Sequence, residues 1–192
     1  MTSFSTRPLD GTTWSAFAAL VERHNGVWGG CWCMAFHAEG VGKDRAPAQN
    51  REDKLARVRR GEAHAALVFD GETCVGWCQF GSPAELPRIK ARRAYEMEPA
   101  PPADWRITCL FVDKAHRRRG VAAVALRGAL DEIARSGGGL VESFPEDTEG
   151  RPVSASFLHN GNLAMFEQAG FTRQRLLGKD RWLVTAMVGR SD

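Results

Sequence analysis

Several things are scarce or missing in this 192-residue chain, and each narrows what it can be. It has one tyrosine, Tyr95, and no apolar run near the ~20 residues that cross a bilayer. Its first ten residues lack the apolar core of a signal peptide. These absences place the chain in the cytoplasm, without a membrane partner. The cysteines are few and odd in number: Cys31, Cys33, Cys74, Cys78 and Cys109. They sit in apolar surroundings and read as reduced thiols. Cys31-x-Cys33 has no second ligand pair at metal spacing, and no Cys-x-x-Cys is present, so neither a metal nor a redox motif is expected. Charge of one sign is also scarce. The formal net charge is only +3, and no basic stripe is interleaved with aromatics, so no nucleic acid partner is expected. Two phosphate motifs are missing outright, Gly-x-Gly-x-x-Gly and a loop ending in Gly-Lys-Ser/Thr. The Gly137 to Gly139 triplet follows a helix and precedes a strand, the reverse of a phosphate loop.

What remains is an ordinary globular composition, 43% hydrophobic and 26% charged, of a length that suits a single domain over residues 1–192. Periodicity predicts a strand over 4–9 and a helix from Thr12 or Thr13 to about Arg23, with Trp14, Phe17, Ala18, Leu20 and Val21 at helical spacing. Periodicity is lost over 25–50, then a charged helix runs over 51–60 and stops at Gly61. Strands over 65–69 and 73–80 are joined through Asp70-Gly71, a hairpin signal. A basic helix is expected over 83–95, then a rigid loop with Pro99, Pro101 and Pro102. A buried strand over 106–112, the strongest helix in the chain over 120–136, a strand over 140–144 and a short helix over 162–169 follow. Two strands, 172–177 and 182–188, close the chain. This order implies an α/β (α+β) fold, a mixed sheet with helices packed on it.

The stretch that carries chemistry is residues 107–122. A buried strand ends near Val112, and a short basic turn opens directly into the strong helix. The first N–H groups of that helix have no intrahelical partner and carry the positive end of its dipole, which suits a phosphate or pyrophosphate. Gly120 lets backbone approach the anion, small Ala122 leaves room, and Arg117, Arg118 and Arg119 add charge at the rim. A solvated arginine cluster is the plain alternative, and a nucleic acid contact a second one.

Arg117-x-x-Gly120-x-Ala122 after this strand end resembles the acetyl-CoA signature of the GNAT acetyltransferase superfamily. The segment from Met165 to Phe171, an aromatic followed by a Gly-Phe pair, is similar to that family's penultimate helix ending. The resemblance follows the element order over 4–188, while its motifs occupy only 110–122 and 165–171. It implies a mostly antiparallel sheet with helices on both faces, whose fourth and fifth strands splay to admit the pantetheine arm of acetyl-CoA. By the same resemblance Leu110, Phe111 and Val112 pair with the pantetheine through their backbone. One amide there would polarise the thioester carbonyl. The amides of Arg118, Arg119, Gly120, Val121 and Ala122 would hold the pyrophosphate. The implied activity is N-acyl transfer from acetyl-CoA to a small-molecule or peptide amine by direct attack in a ternary complex. A non-catalytic CoA-binding protein is the alternative, and homodimers are common among such folds.

An attacking amine must be neutral, so a base or a water chain must take its proton. Glu142, on the strand expected to face the thioester, is the candidate base, against a solvated or salt-bridged strand glutamate. His116 and His159 adjoin turns and are weaker candidates. Many relatives carry a tyrosine in the penultimate helix; the matching residue here is Phe166, which removes a phenolic acid from that position. A thiol with a pKa near ~8.5 can leave without it. The group from Trp28 to His37 reads first as a core plug and second as an acceptor pocket or aromatic cage. Cys33 as an acyl-carrying nucleophile has no partner base visible in the sequence. The 142–162 loop, with Glu146, Asp147, Glu149 and Arg151, reads as acceptor-facing or as plain surface.

Overall fold

The structure, a computed structural model, describes residues 4–42, 44–98, 100–150 and 158–191; Pro99 and Arg151 lie outside them. Its frame is one seven-stranded sheet: β1 (Ser5–Pro8), β2 (His64–Asp70), β3 (Thr73–Gly81), β4 (Trp105–Val112), β5 (Gly139–Ser143), β6 (Thr172–Leu176) and β7 (Trp182–Val188). The strand order is β1-β2-β3-β4-β5-β7-β6. All neighbours are antiparallel except β4 and β5. The helices are α1 (Trp14–Arg23), α2 (Pro47–Arg60), α3 (Arg92–Glu96), α4 (Val121–Arg135) and α5 (Leu163–Gln168).

Strand alternation divides the core in two. Ala65, Leu67 and Phe69 of β2, Trp77 of β3 and Cys109 and Phe111 of β4 face α1, the long connection after it, and Val58 of α2. Ala66 and Val68 of β2, Val75 and Cys78 of β3 and Ile107 and Leu110 of β4 face Ala125, Leu126, Ala129 and Ile133 of α4. Helices therefore cover both faces, as the family resemblance implied. The approach of α4 is close at Gly128, where a Cβ would lie 2.8 Å from Thr6 Cγ2 and 3.2 Å from the Ala66 Cβ.

The two halves of the sheet are joined by little. β4 spans eight residues, yet it pairs with β5 only at Trp105↔Val141, Arg106↔Glu142 and Ile107↔Ser143. β5 stops because Pro145, two residues past its end, has no N–H to continue a ladder; its carbonyl instead accepts from Trp182 N–H at 3.0 Å. From Thr108 onward the outer edge of β4 faces a gap. Asn160 caps the start of that edge, donating from Nδ2 to the Thr108 carbonyl at 2.7 Å. The fourth and fifth strands splay as expected.

Two expectations need correction. The basic helix over 83–95 shrinks to the five residues of α3, preceded by Ala91 with φ +59°. Pro83 and Pro87 interrupt any helical ladder there, and Leu86 is buried as irregular backbone. The helix expected over 51–60 starts at Pro47, because proline at a first helical position needs no N–H partner.

Candidate functional site

A cavity of about 810 Å³ opens where the splayed edge of β4 meets the N-terminus of α4. Leu110, Phe111 and Val112 form one wall, and Arg117, Arg118, Gly120, Val121 and Ala122 form the next. Asn25, Val27 and Trp28 cover it from the connection after α1, and Gly161, Asn162 and Met165 close it beside α5.

The backbone is arranged to receive polar groups along both walls. Asp113 N–H donates to the Val75 carbonyl at 2.8 Å, toward β3. Alternation then turns the N–H and C=O of Val112 and Leu110 the other way, into the gap. On α4, the first intrahelical bond of this turn runs from Val124 N–H to the Gly120 carbonyl at 3.1 Å. The N–H groups of Val121, Ala122 and Ala123 precede it and have no carbonyl one turn back. No side chain caps the turn. Gly120 has φ +80° and a Cβ on it would meet nothing within 4 Å, so the loop is open on the cavity side. Arg118 is left-handed as well, with φ +60°.

Charge in the lining is of one sign. Arg23, Lys114, Arg117 and Arg118 contribute, with His24 and His116 beside them, and among the described residues no carboxylate lines the cavity. Arg119 alone of the expected loop residues lies outside the lining. Its guanidinium is 3.5 Å from Asp70 Oδ2 and stacks over Phe4 at 5.2 Å. Asp113 stands just behind the wall. Burial by itself would raise its carboxyl, but Ala115 N–H, Arg23 and His24 outweigh that and hold it at about 2. Its Oδ2 is 3.2 Å from Arg23 Nη2 and 3.4 Å from His24 Nε2, which pins the end of α1 to the end of β4.

Glu142 is not brought to this cavity. It is 1% exposed and clamped between Arg106, whose Nε donates at 2.7 Å and Nη2 stands at 2.6 Å, and Tyr95, whose hydroxyl donates at 3.0 Å. A base needs a lone pair aimed at the substrate; these lone pairs are spent on an internal ion pair. Tyr95, distant in sequence, thus returns to the sheet through Glu142. Burial and the Glu142 charge push its phenol up.

The group from Trp28 to His37 is mostly core, since Cys31, Trp32, Cys33, Met34 and Phe36 are all buried. Trp28 is the exception. It is 40% exposed and stands over the cavity, edge-on to Phe111 and His159, each at 5.7 Å between ring centres. Of the two histidines expected as weaker bases, His116 lines the cavity and His159 is buried behind Trp28. In the 142–162 loop, Glu146 pairs with Arg181, while Asn162 reaches the cavity. Sequence reasoning missed Arg23, His24, Lys114 and Asn160. The first two lie ninety residues before the loop they join, and only folding brings them together.

Comparison with known proteins bears on this geometry. The acetyltransferase (GNAT) family matches residues 25–151. No curated protein sequence matches the chain. Among solved structures, yncA from Salmonella typhimurium, described as an acetyltransferase and solved with its cofactor acetyl-CoA, is 16% identical with a TM-score of 0.54, covering 99% of this chain and 96% of that one. A histone acetyltransferase HPA2 and related acetyltransferase from Corynebacterium glutamicum is 15% identical with a TM-score of 0.55, covering 99% and 98%. The ribosomal-protein-S18-alanine N-acetyltransferase from Escherichia coli is 11% identical with a TM-score of 0.50, covering 99% and 97%.

Proposed function

This chain belongs to the acetyltransferase (GNAT) family, and on that premise we propose that it is an N-acetyltransferase, moving the acetyl group of acetyl-CoA directly onto an amine in a ternary complex. The observation that carries the proposal is the meeting of an open strand edge and an open helix N-terminus in one cavity that no carboxylate among the described residues lines. Acetyl-CoA has the chemistry for both: amides along its pantetheine arm and a pyrophosphate at one end. Its thioester supplies an activated acetyl group.

The residues divide the work by position. The backbone of Leu110 and Val112 hydrogen-bonds the pantetheine arm as an added strand would, and an amide on this edge polarises the thioester carbonyl. The amides at the start of α4 hold the pyrophosphate, with Arg117 and Arg118 beside them. Trp28 and Phe111 exclude water from the arm. With Glu142 committed to Arg106 and Tyr95, the amine proton leaves through water or through His24, which Asp113 orients. The acceptor is an amine of a small molecule, peptide or protein. We also place the enzyme in the cytoplasm, on the reading that its five buried, unpaired cysteines suit a reducing compartment.

Calorimetry with acetyl-CoA on the native protein and on Gly120→Asp tests this. The native protein binds, and the variant binds at least about 100-fold more weakly, a loss of ~2.7 kcal/mol, because a carboxylate then faces the pyrophosphate. A native protein that binds neither acetyl-CoA nor CoA would end the proposal.

A further inference from the structure

β4 and β5 part after Ile107↔Ser143, yet the wedge between them is filled at its base. The short turn Leu158–Asn160 and the residues after it enter that wedge. Glu146, just past Pro145, pairs with Asn162 as an isolated parallel bridge. Its N–H donates to the Gly161 carbonyl at 3.1 Å, and its carbonyl accepts from Leu163 N–H at 2.8 Å. Toward β4, Asn160 Nδ2 donates to the Thr108 carbonyl at 2.7 Å. Asn160 is thus bonded to β4 while its neighbours are bonded to the chain beyond β5. The inserted segment closes the inner end of the strand edge, and the open part of that edge begins at Leu110.

Both members of this contact are held rigidly. Asn160 is 1% exposed. Arg181 Nη1 donates to Asn160 Oδ1 at 3.1 Å and to the Phe144 carbonyl at 2.9 Å, and its Nη2 pairs with Glu146. Arginine can only donate and a carbonyl can only accept, so the orientation of the Asn160 amide is fixed from both ends. Thr108 is held from behind. Cys109 pairs with Gln79 and Ile107 with Phe80, which leaves Thr108 between them as a bulge. Its hydroxyl accepts from Gln79 Nε2 at 3.4 Å, and Gln79 Oε1 accepts from Lys54 Nζ at 3.1 Å. Lys54 Nζ is also 3.1 Å from His37 Nε2. His37 Nδ1 lies 3.2 Å from the Glu85 carbonyl, so Nδ1 carries the proton and Nε2 accepts from Lys54. Thr108, Gln79, Lys54 and His37 are all buried. Neither Thr108 nor Asn160 can retreat without leaving a buried polar group unpaired.

Resting on the acetyltransferase reading, we propose that Asn160 is the acyl-length stop of this enzyme, its carboxamide filling the seam where the methyl of an acetyl group ends. With the pyrophosphate at the start of α4, the pantetheine arm runs back along β4 from Val112 toward Thr108. Leu110 is the last residue on that path whose backbone faces the gap without a side chain bonded to it, so the thioester carbonyl is held there. The acyl chain then points along the seam toward Thr108 and meets the Asn160 side chain. An acetyl methyl ends against that surface. A longer chain must push the carboxamide aside and break its bonds to Thr108 and Arg181. The donor is thereby restricted to acetyl-CoA among acyl-CoA thioesters.

The test is calorimetry with CoA, acetyl-CoA, propionyl-CoA and butyryl-CoA on the full-length protein. The native protein binds acetyl-CoA, and each added methylene weakens binding about tenfold or more. Asn160→Ala frees about the volume of one methylene, so propionyl-CoA binds that variant as tightly as acetyl-CoA does, while butyryl-CoA still lags. The ratio between donors is the readout, because general damage to the site weakens all of them alike. Equal affinity for the acyl donors in the native protein overturns the stop and leaves the acetyltransferase reading standing. Binding of no CoA species at all ends that reading, and the stop with it. A folded Asn160→Ala that keeps the native ratio overturns the role of Asn160. Should that variant not fold, Asn160→Ser, of nearly the same size with a hydroxyl for Arg181, is read by the same ratio, and the native series decides the length limit in either case.

Discussion

At the scale of single residues, two carboxylates, Glu142 and Asp113, hold structure. Glu142 is buried against Arg106. Removing one partner of a buried pair leaves the other uncompensated, about 3–5 kcal/mol. Glu142→Gln should therefore lower the thermal midpoint strongly, while turnover per folded molecule keeps its pH profile. An unchanged midpoint with a lost basic limb would restore Glu142 as the base. Asp113 acts through pH. Its folded carboxyl titrates at about 2, below its ordinary 3.8, so its stabilisation is complete above the unfolded value and is lost as pH falls through the folded one. The size is on the order of 2 kcal/mol. Acid titration of stability should lose that component between pH of about 4 and 2 in Asp113→Asn; an unaltered acid limb would refute it. The sequence marked Glu142 by its strand position, but a strand position does not say what stands opposite. Arg106 and Tyr95 arrive from other segments, and their arrival decides the role.

At the scale of elements, the site depends on where α4 begins and how closely it lies on the sheet. Its start was legible, because Gly120 and the apolar face from Val121 to Ile133 mark a helix N-terminus in the residues themselves. Its seating was not. Gly128 reads as a mild flaw in a helix, yet it lets α4 approach Thr6 and Ala66. Gly128→Val should destabilise by about 1–3 kcal/mol through overpacking, read as a lower denaturant midpoint with unchanged slope. A neutral result would mean that β1 yields freely. The segment over 83–95 shows the opposite case. Its basic residues suggested a helix, but two prolines and a buried Leu86 leave only α3.

At the scale of the whole molecule, the sheet is two halves joined at three residue pairs, and the cavity occupies the seam. A ligand seated there bridges both halves and should stabilise the fold as a unit. Acetyl-CoA at about 100 times its Kd should contribute ~2.7 kcal/mol, a rise of about 5–10 °C in Tm for a chain of this length. Gly120→Asp should show no rise at the same concentration. A native protein whose Tm does not move with acetyl-CoA would contradict the bridging role.

The sequence by itself determined the strand-turn-helix unit, the uncapped start of α4 and the order of elements around it, because these depend on local periodicity and on backbone groups that every helix leaves open. Tertiary structure alone decided the rest. It brought Arg23 and His24 to Asp113, set Trp28 over the cavity while its neighbours sank into the core, and buried Lys54 against His37 and Gln79. Such meetings join residues far apart in the chain. No local pattern records them, because their energies arise only when the sheet has been built between them.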